Sequence, residues 1–307
     1  MEAGLRAPEV TIEIAITREG PAGGRKRVRV NGVPRRPTAL GGALRVVLFA
    51  PEEMLLVIGS PGLRRDAIDR IAGDRSPAHE RAAATYERSL RQRNSLLKSI
   101  REGTAGRDQL RYWDEVLIAS GGEVIDARLD ALDALAAALA AAHGEIAPDE
   151  GPLSLRYLGS APPRPGESSR DALARRLAET AEKEVWNGTT LVGPHRDDVA
   201  FLLGDREMAG TASRGQQRSA ILALKLAQLD LLAASDGRPP LLLLDDVFSE
   251  LDPARRAHLV RRIAELPQAF VTTTTLDDLD PELRAIGTAW HVETGDGGAH
   301  VSAGGAA

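Results

Sequence analysis

Four leucines, Leu241-Leu242-Leu243-Leu244, run without interruption into Asp245-Asp246, and Val247-Phe248-Ser249-Glu250-Leu251-Asp252 follows. A short apolar run without alternation reads as a strand buried on both faces, as in a parallel sheet. Acids at the end of such a strand sit at the carboxyl edge of the sheet, where open α/β folds bind ligands. In nucleotide hydrolases an Asp at this place holds Mg²⁺ against the phosphates. A plainer reading is that Asp245-Asp246 ends a strand and caps the next helix.

About thirty residues upstream stands Ala212-Ser213-Arg214-Gly215-Gln216-Gln217-Arg218-Ser219. Ile221, Leu222, Leu224, Leu226, Leu229, Leu231 and Leu232 continue it at helical spacing. Ser213 is a natural N-cap, and Gly215 lets a ligand approach the backbone. The free N–H groups of this helix start form an anion site. Taken alone, Ser-x-Gly-Gln before a helix is more often an ordinary cap. The order and spacing of both features is the more specific signal.

Together, Ser-Arg-Gly-Gln-Gln and Leu-Leu-Leu-Leu-Asp-Asp-Val-Phe-Ser-Glu-Leu-Asp resemble the ABC-type ATPase heads of SMC-like DNA-repair proteins. Within that class the chain is most similar to the RecF family. Thr189-Thr190-Leu191-Val192-Gly193-Pro194-His195-Arg196-Asp197-Asp198 carries the same resemblance. So do Phe49-Ala50-Pro51-Glu52-Glu53, Gly59-Ser60-Pro61, Arg64 to Asp69, and the pattern from Tyr86 through Gln92-Arg93-Asn94, Leu97-Lys98 and Trp113-Asp114. The likeness runs from about Val28 to about Thr275.

The resemblance implies an ABC-type head with a mixed sheet and an inserted helical arm. It implies ATP and Mg²⁺ as cofactors, with Asp245 holding the metal, in part through water. Asp246 takes the place of the catalytic base or water-orienting group. Many ABC ATPases carry Glu there. Aspartate is one methylene shorter, and a misplacement of about 1 Å can cost about a hundredfold in rate. Slow turnover, suited to a switch, is the expectation, and whether this chain acts as an enzyme stays open. Ser213, Arg214, Gly215, Gln216 and Gln217 match the signature that would touch the γ-phosphate held by a second subunit. Ser249 and Asp252 match the D-loop of that interface. An ATP-dependent homodimer is therefore implied, with gapped duplex, single-stranded DNA, RecR and RecO as partners. Aid to RecA loading, with roles in replication, gap repair and the SOS response, is implied with it.

The sequence departs from the family at one point. No G-x-x-x-x-G-K-[ST] run and no Gly-Lys dipeptide occurs in the 307 residues. The expectation is a head lacking its opening strand, P-loop and helix. A start read too late, a fragment, or a lost phosphate cradle would each explain it. The competing function is a non-catalytic DNA- or RecR-binding module.

Formal net charge is −5, so any DNA contact has to come from a local basic surface. The absence of cysteine excludes disulfides and thiolate metal sites and suits a reducing cytosol. No apolar run approaches the roughly twenty residues that cross a membrane. A cytoplasmic protein without membrane contact is expected.

The head is expected over 1–62 and 187–307, the arm over 63–186. Residues 10–17 alternate as a strand, Arg25–Val30 pairs with it, Asn31-Gly32 turns, and Val46–Phe49 is a short buried strand. Tyr86, Leu90, Leu97 and Ile100 share one helical face, with Arg81, Arg88, Arg91 and Lys98 opposite. That basic stripe is either a solvated helix side or a phosphate-contacting surface. An alanine-rich helix from about Glu123 to Ala142 is its expected partner. A short strand (Leu153–Leu158), a linker to Ser169 and a helix from Arg170 to Val185 follow. The tail from Gly295 reads as mobile. Thr272 to Thr275 stand where many ABC proteins place a switch histidine. They read equally as phosphate-facing hydroxyls or as a strand's β-branched residues. His195-Arg196-Asp197-Asp198 lacks convincing metal-ligand spacing, and Arg196 is open to phosphate or to an acid.

Overall fold

The computed structural model describes residues 10–17, 25–35, 44–236, 240–248, 251–295 and 298–303. Contacts group the chain into two units, Met1–Val46 and Val47–Ala307. The first holds an antiparallel meander of β1 (Ile12–Thr17), β2 (Arg25–Val30) and β3 (Val33–Arg35). Asn31 and Gly32 both take positive φ, 51° and 75°, in the two-residue turn between β2 and β3. Such turns match the right-handed twist of the strands they join, and Asn-Gly tolerates them.

In the second unit β4 (Val46–Phe49) leads through a Pro51–Met54 turn and α1 (Leu55–Ile58) into three long helices. These are α2 (Pro61–Arg75), α3 (Pro77–Arg101) and α4 (Leu110–Ile146). Next come β5 (Leu153–Leu158), α5 (Ser169–Asn187), β6 (Asp198–Leu203), β7 (Arg206–Glu207) and α6 (Arg214–Asp236). The chain ends with β8 (Leu241–Asp245), α7 (Pro253–Ala264), β9 (Ala269–Thr272), α8 (Pro281–Ile286), β10 (Trp290–Gly295) and β11 (Gly298–Ala303).

The leucine run is β8, the middle strand of the sheet β4-β8-β9, and β8 and β9 are parallel with Asp245 opposite Thr272. Val47, Phe49, Leu242 and Leu244 are buried in one core with Ile221, Leu222 and Leu226 of α6. Leu241 and Leu243 are half-buried, while Leu48 and Phe270 are exposed. The expected two-sided burial is therefore one-sided among the described residues, because α6 packs on one face only. A second sheet, β5-β6-β7, is antiparallel and shares that core through Leu153, Val199 and Phe201.

Helix α4 begins at Leu110, well before the expected Glu123. At about 1.5 Å per residue its 37 residues span about 55 Å. Its C-terminal half, from Ala131 to Ile146, belongs to the main core, while Leu117 and Val124 belong to a second core with Tyr86, Leu173 and Leu177. Gly121-Gly122 does not break it, because these glycines admit the neighbouring helices. A β carbon on Gly121 would stand 2.6 Å from Leu173 Cδ2, and one on Gly122 would stand 3.0 Å from Arg170 Cβ. Within the stretch read as mobile, residues 298–303 form β11, which pairs antiparallel with β10.

Candidate functional site

Three segments converge on a cleft of about 280 Å³. Phe49, Pro51 and Met54 come from the β4 exit, Arg214, Gln217 and Arg218 from the first turns of α6, and Asp246, Val247 and Leu251 from the segment after β8. The segment after β8 and the first turns of α6 thus share one cleft.

At the α6 start, the Gln216 backbone N–H donates to Ser213 Oγ (3.2 Å), and the Ser213 N–H donates to Gln216 Oε1 (2.9 Å). This reciprocal pair is a capping box, which fixes the entry of the helix and uses two of its orphan donors. Gln217 Nε2 donates to Ala212 O at 2.9 Å. Ser213 is therefore the cap that the plainer reading expected, and its hydroxyl hydrogen is still able to reach an anion. Gly215 needs no glycine for internal reasons: a β carbon there would meet only Ser213 Oγ, at 3.8 Å. Its bare outer side suits approach by a group from outside the chain. Arg214 is exposed beside it.

At the strand end, Asp245 is exposed and accepts from Thr272 Oγ1 at 2.5 Å. Asp246 turns the chain at φ 48°, a left-handed conformation uncommon outside glycine. Its N–H is held by the Thr272 carbonyl oxygen and hydroxyl, both at 3.2 Å. The hydroxyl of Thr272 thus serves the acid pair. Thr273 Oγ1 donates to Thr275 O, and Thr275 Oγ1 caps Asp277.

Ser249 lies outside the described residues. Asp252 N-caps α7 by accepting from Arg255 N–H at 3.0 Å, and it pairs with the Arg255 guanidinium. Burial works to raise the Asp252 pKa, but these Arg255 interactions outweigh it and hold the carboxyl below its ordinary value. Sequence reasoning missed the role of Arg255. Its guanidinium also donates to Ser219 Oγ on α6, at 2.6 and 3.0 Å, and to Glu150 Oε1 just beyond α4, at 2.9 Å. One side chain joins the signature-like helix, the α7 cap and the foot of the longest helix. Glu53 and Lys225, both largely buried, form a second tie between the Pro51–Met54 turn and α6. Neither link leaves a signal in local spacing, since each partner is distant in sequence.

The donors at this edge suit a Mg²⁺–nucleotide. An exposed carboxylate with one oxygen held by a threonine leaves the other oxygen for a hard cation or its water. A capped helix start with an open glycine suits phosphate. These residues fit the group. Among the described residues no three His, Asp or Glu side chains cluster as a metal site by themselves.

Arg81, Arg88, Arg91 and Lys98 are all exposed on α3, while Tyr86 and Leu97 are buried opposite. Arg91 faces Glu87 at 3.7 Å in a weak exposed pair. Arg93, between them in sequence, is instead buried and binds Asp114, Glu184 and Thr190.

The Gly193–Asp198 segment is a keystone between elements. Arg64 makes two hydrogen bonds to Asp198, at 2.7 and 2.8 Å. Asp197 accepts from Tyr157 Oη and Ser160 N–H, both at 2.6 Å, and Arg128 donates to Pro194 O at 2.7 Å. Gly193 takes φ 123° against the Tyr86 hydroxyl, where a β carbon would not fit. His195 Nδ1 lies 2.6 Å from Tyr86 Oη, and Nε2 lies 3.3 Å from Thr190 O. Burial lowers its pKa to about 4 and raises that of Tyr86, so at neutral pH Tyr86 donates to Nδ1 while Nε2–H faces the carbonyl. With its lone pair occupied, His195 offers no ligand to a metal. Arg196 is exposed and donates to Thr190 O, so it joins the phosphate candidates only by position.

No family model matches the chain. A solved structure described as the recombination mediator protein RecF-ATPrS in the RecFOR pathway superposes with TM-score 0.77 and 31% identity, covering 88% of this chain and 72% of that one. A RecF-ATP structure from the same pathway gives TM-score 0.75, covering 83% and 69%. The fold is that of an ABC-type ATPase head. A DNA replication and repair protein RecF from Herpetosiphon aurantiacus is 39% identical over 294 residues, covering 93% of this chain and 75% of the relative. The RecF of Streptomyces avermitilis is 41% identical over 281 residues, covering 88% and 74%. The chain belongs to the RecF family of DNA replication and repair proteins. No helix among the described residues is long and apolar enough to cross a membrane.

Proposed function

We propose that the chain is an ATP-switched DNA-binding protein of recombinational gap repair. ATP draws two heads together, and the closed pair grips duplex beside a single-stranded gap. It works there with RecO and RecR to help load RecA, within replication and the SOS response in the cytoplasm. The capped α6 start with its open Gly215, together with the strand-end Asp245 and Asp246 held by Thr272, supports this reading most directly.

Mg²⁺–ATP, when bound, would supply the phosphates and the scissile bond. Asp245 would hold the cation or its water, and Thr272 fixes the orientation of that carboxylate. Asp246 would orient a water and accept a proton from it. Ser213, Gly215 and the first N–H groups of α6, flanked by Arg214, Gln216 and Gln217, receive a phosphate presented by the other head. Ser249 and Asp252 belong to the interface segment, and Arg255 passes its position to α6. Arg81, Arg88, Arg91 and Lys98 meet DNA phosphates, which give affinity without sequence preference.

The test is a chimera with the P-loop segment of a RecF relative joined ahead of Met1. It should form dimers on adding ATP and Mg²⁺, and Ser213→Arg should abolish them without changing its helical content. Dimers that survive Ser213→Arg would make this helix start an ordinary cap. A chimera that never dimerises would favour the non-catalytic DNA- or RecR-binding module.

A further inference from the structure

Asp245 and Asp246 are neighbours in sequence but do not face the same space. Burial alternates along β8, so Asp245 shares a face with half-buried Leu241 and Leu243, while Leu242 and Leu244 turn into the core with α6. Asp246 instead lines the cleft with Arg214, Gln217 and Arg218. Between the two acids the chain turns out of the extended strand: Asp245 ends β8, and Asp246 takes φ 48°. For a residue with a side chain that conformation is uncommon, and it persists where surrounding contacts over-determine it.

The backbone hold on this turn comes from Thr272. The parallel register sets Thr272 opposite Asp245, and Thr272 shares the open face of β9 with exposed Phe270. Thr272 Oγ1 lies 2.5 Å from Asp245 Oδ1 and 3.2 Å from the Asp246 nitrogen. The Thr272 carbonyl oxygen accepts from the same N–H, also at 3.2 Å. The direction of each bond follows from the groups. An amide nitrogen only donates, so Oγ1 receives the Asp246 N–H and sends its own proton to Asp245. One oxygen of Asp245 is thereby engaged and the other left for a cation, while the Asp246 peptide is fixed by two acceptors. Thr273 and Thr275 do not share this duty: Thr273 Oγ1 donates to Thr275 O, and Thr275 Oγ1 accepts from the Asp277 N–H. Valine suits an exposed strand position as well as threonine does, so strand formation does not call for the hydroxyl.

We propose that Thr272 is the positioning residue of the whole acid pair. Through one hydroxyl it aims Asp245 at the cation and holds the turn that carries Asp246 into the cleft. The proposal rests on the reading of Asp245 as the cation-binding acid, and adds that the placement of Asp246 depends on the same hydroxyl.

Thr272→Val keeps the shape of the side chain and removes the hydroxyl, whereas Thr272→Ser keeps the hydroxyl. Mn²⁺ alone is titrated into the 307-residue chain and followed by electron paramagnetic resonance, with Asp245→Asn marking the share of binding that belongs to Asp245. Thr272→Val should weaken that share by about tenfold or more, and Thr272→Ser by no more than about threefold. Hydrogen exchange at the Asp246 amide, read by NMR, should quicken by about fivefold in Thr272→Val and recover in Thr272→Ser. A threonine that served packing alone would leave both readings at the parent value in Thr272→Val. Parent-like Mn²⁺ affinity or parent-like Asp246 exchange in Thr272→Val overturns the proposal, as does a Thr272→Ser variant as impaired as Thr272→Val. Should the parent show no Asp245-dependent Mn²⁺ binding, the cation reading itself fails and the proposal falls with it.

Discussion

Replacing His195 by Gln tests whether the Gly193–Asp198 segment is a structural keystone rather than reaction chemistry. Burial holds the imidazole at a pKa of about 4 in the fold, against 6.5 when exposed. Arg196 and Arg65 oppose its protonation, Asp197 and the Thr190 carbonyl favour it, and burial dominates. Between these values the unfolded chain binds a proton that the folded chain refuses. Stability conferred by neutral His195 is thus complete above pH 6.5 and drains as pH falls toward 4. The gap corresponds to about 3 kcal/mol, trimmed to about 2–3 kcal/mol for partial solvent access. Buried His143 and His258, also lowered by desolvation, push in the same direction, so the parent–variant difference is the quantity to read. Asp69 acts lower: burial opposes ionisation, but Arg128 and His79 hold it at about 2. Urea midpoints for parent and His195→Gln between about pH 7 and pH 4.5 should converge as pH falls, by nearly 1 M at slopes of about 2–3 kcal/mol per molar. An imidazole resonance titrating near 6.5, with parallel pH profiles for both proteins, would refute the reasoning.

Two other substitutions probe the head. Arg255→Gln strips a largely buried hub from Ser219, Asp252 and Glu150, so it should cost about 2–4 kcal/mol in urea unfolding. It should also raise the His143 pKa by NMR, because Arg255 opposes that proton. An unmoved His143 would exclude the link. In the P-loop chimera, Asp245→Asn should weaken Mg²⁺-dependent dimerisation, whereas Asp246→Asn should allow ATP-bound dimers yet abolish phosphate release. Identical behaviour would refute the division between metal binding and water activation.

The parts legible in the sequence were those with local period or local caps. The leucine run, the Ser213 helix start and the α3 stripe each declare themselves within a few residues, and the structure places them as strand, capped helix and exposed face. What escaped was long-range. Arg255 reads as one arginine among several on α7, yet its partners lie 36 and 105 residues away. Gly121-Gly122 reads as a weak point, but its bareness answers to Leu173 and Arg170 on another helix. Thr272 reads as strand composition until the register sets it beside Asp245.

The central claim, a phosphate-reading DNA-binding protein of the RecF family, is tested most directly by salt titration on gapped duplex. The 307-residue chain and its Arg81→Gln, Arg88→Gln, Arg91→Gln, Lys98→Gln combination are compared at several salt concentrations. The account predicts a log K that falls linearly with log salt for the parent. The slope of the variant should be shallower by up to about 0.9 per lost phosphate contact, at every sequence alike and with the fold intact. Parent and variant with the same slope would make the stripe a solvated helix side, and no binding by the parent at low salt would contradict the account.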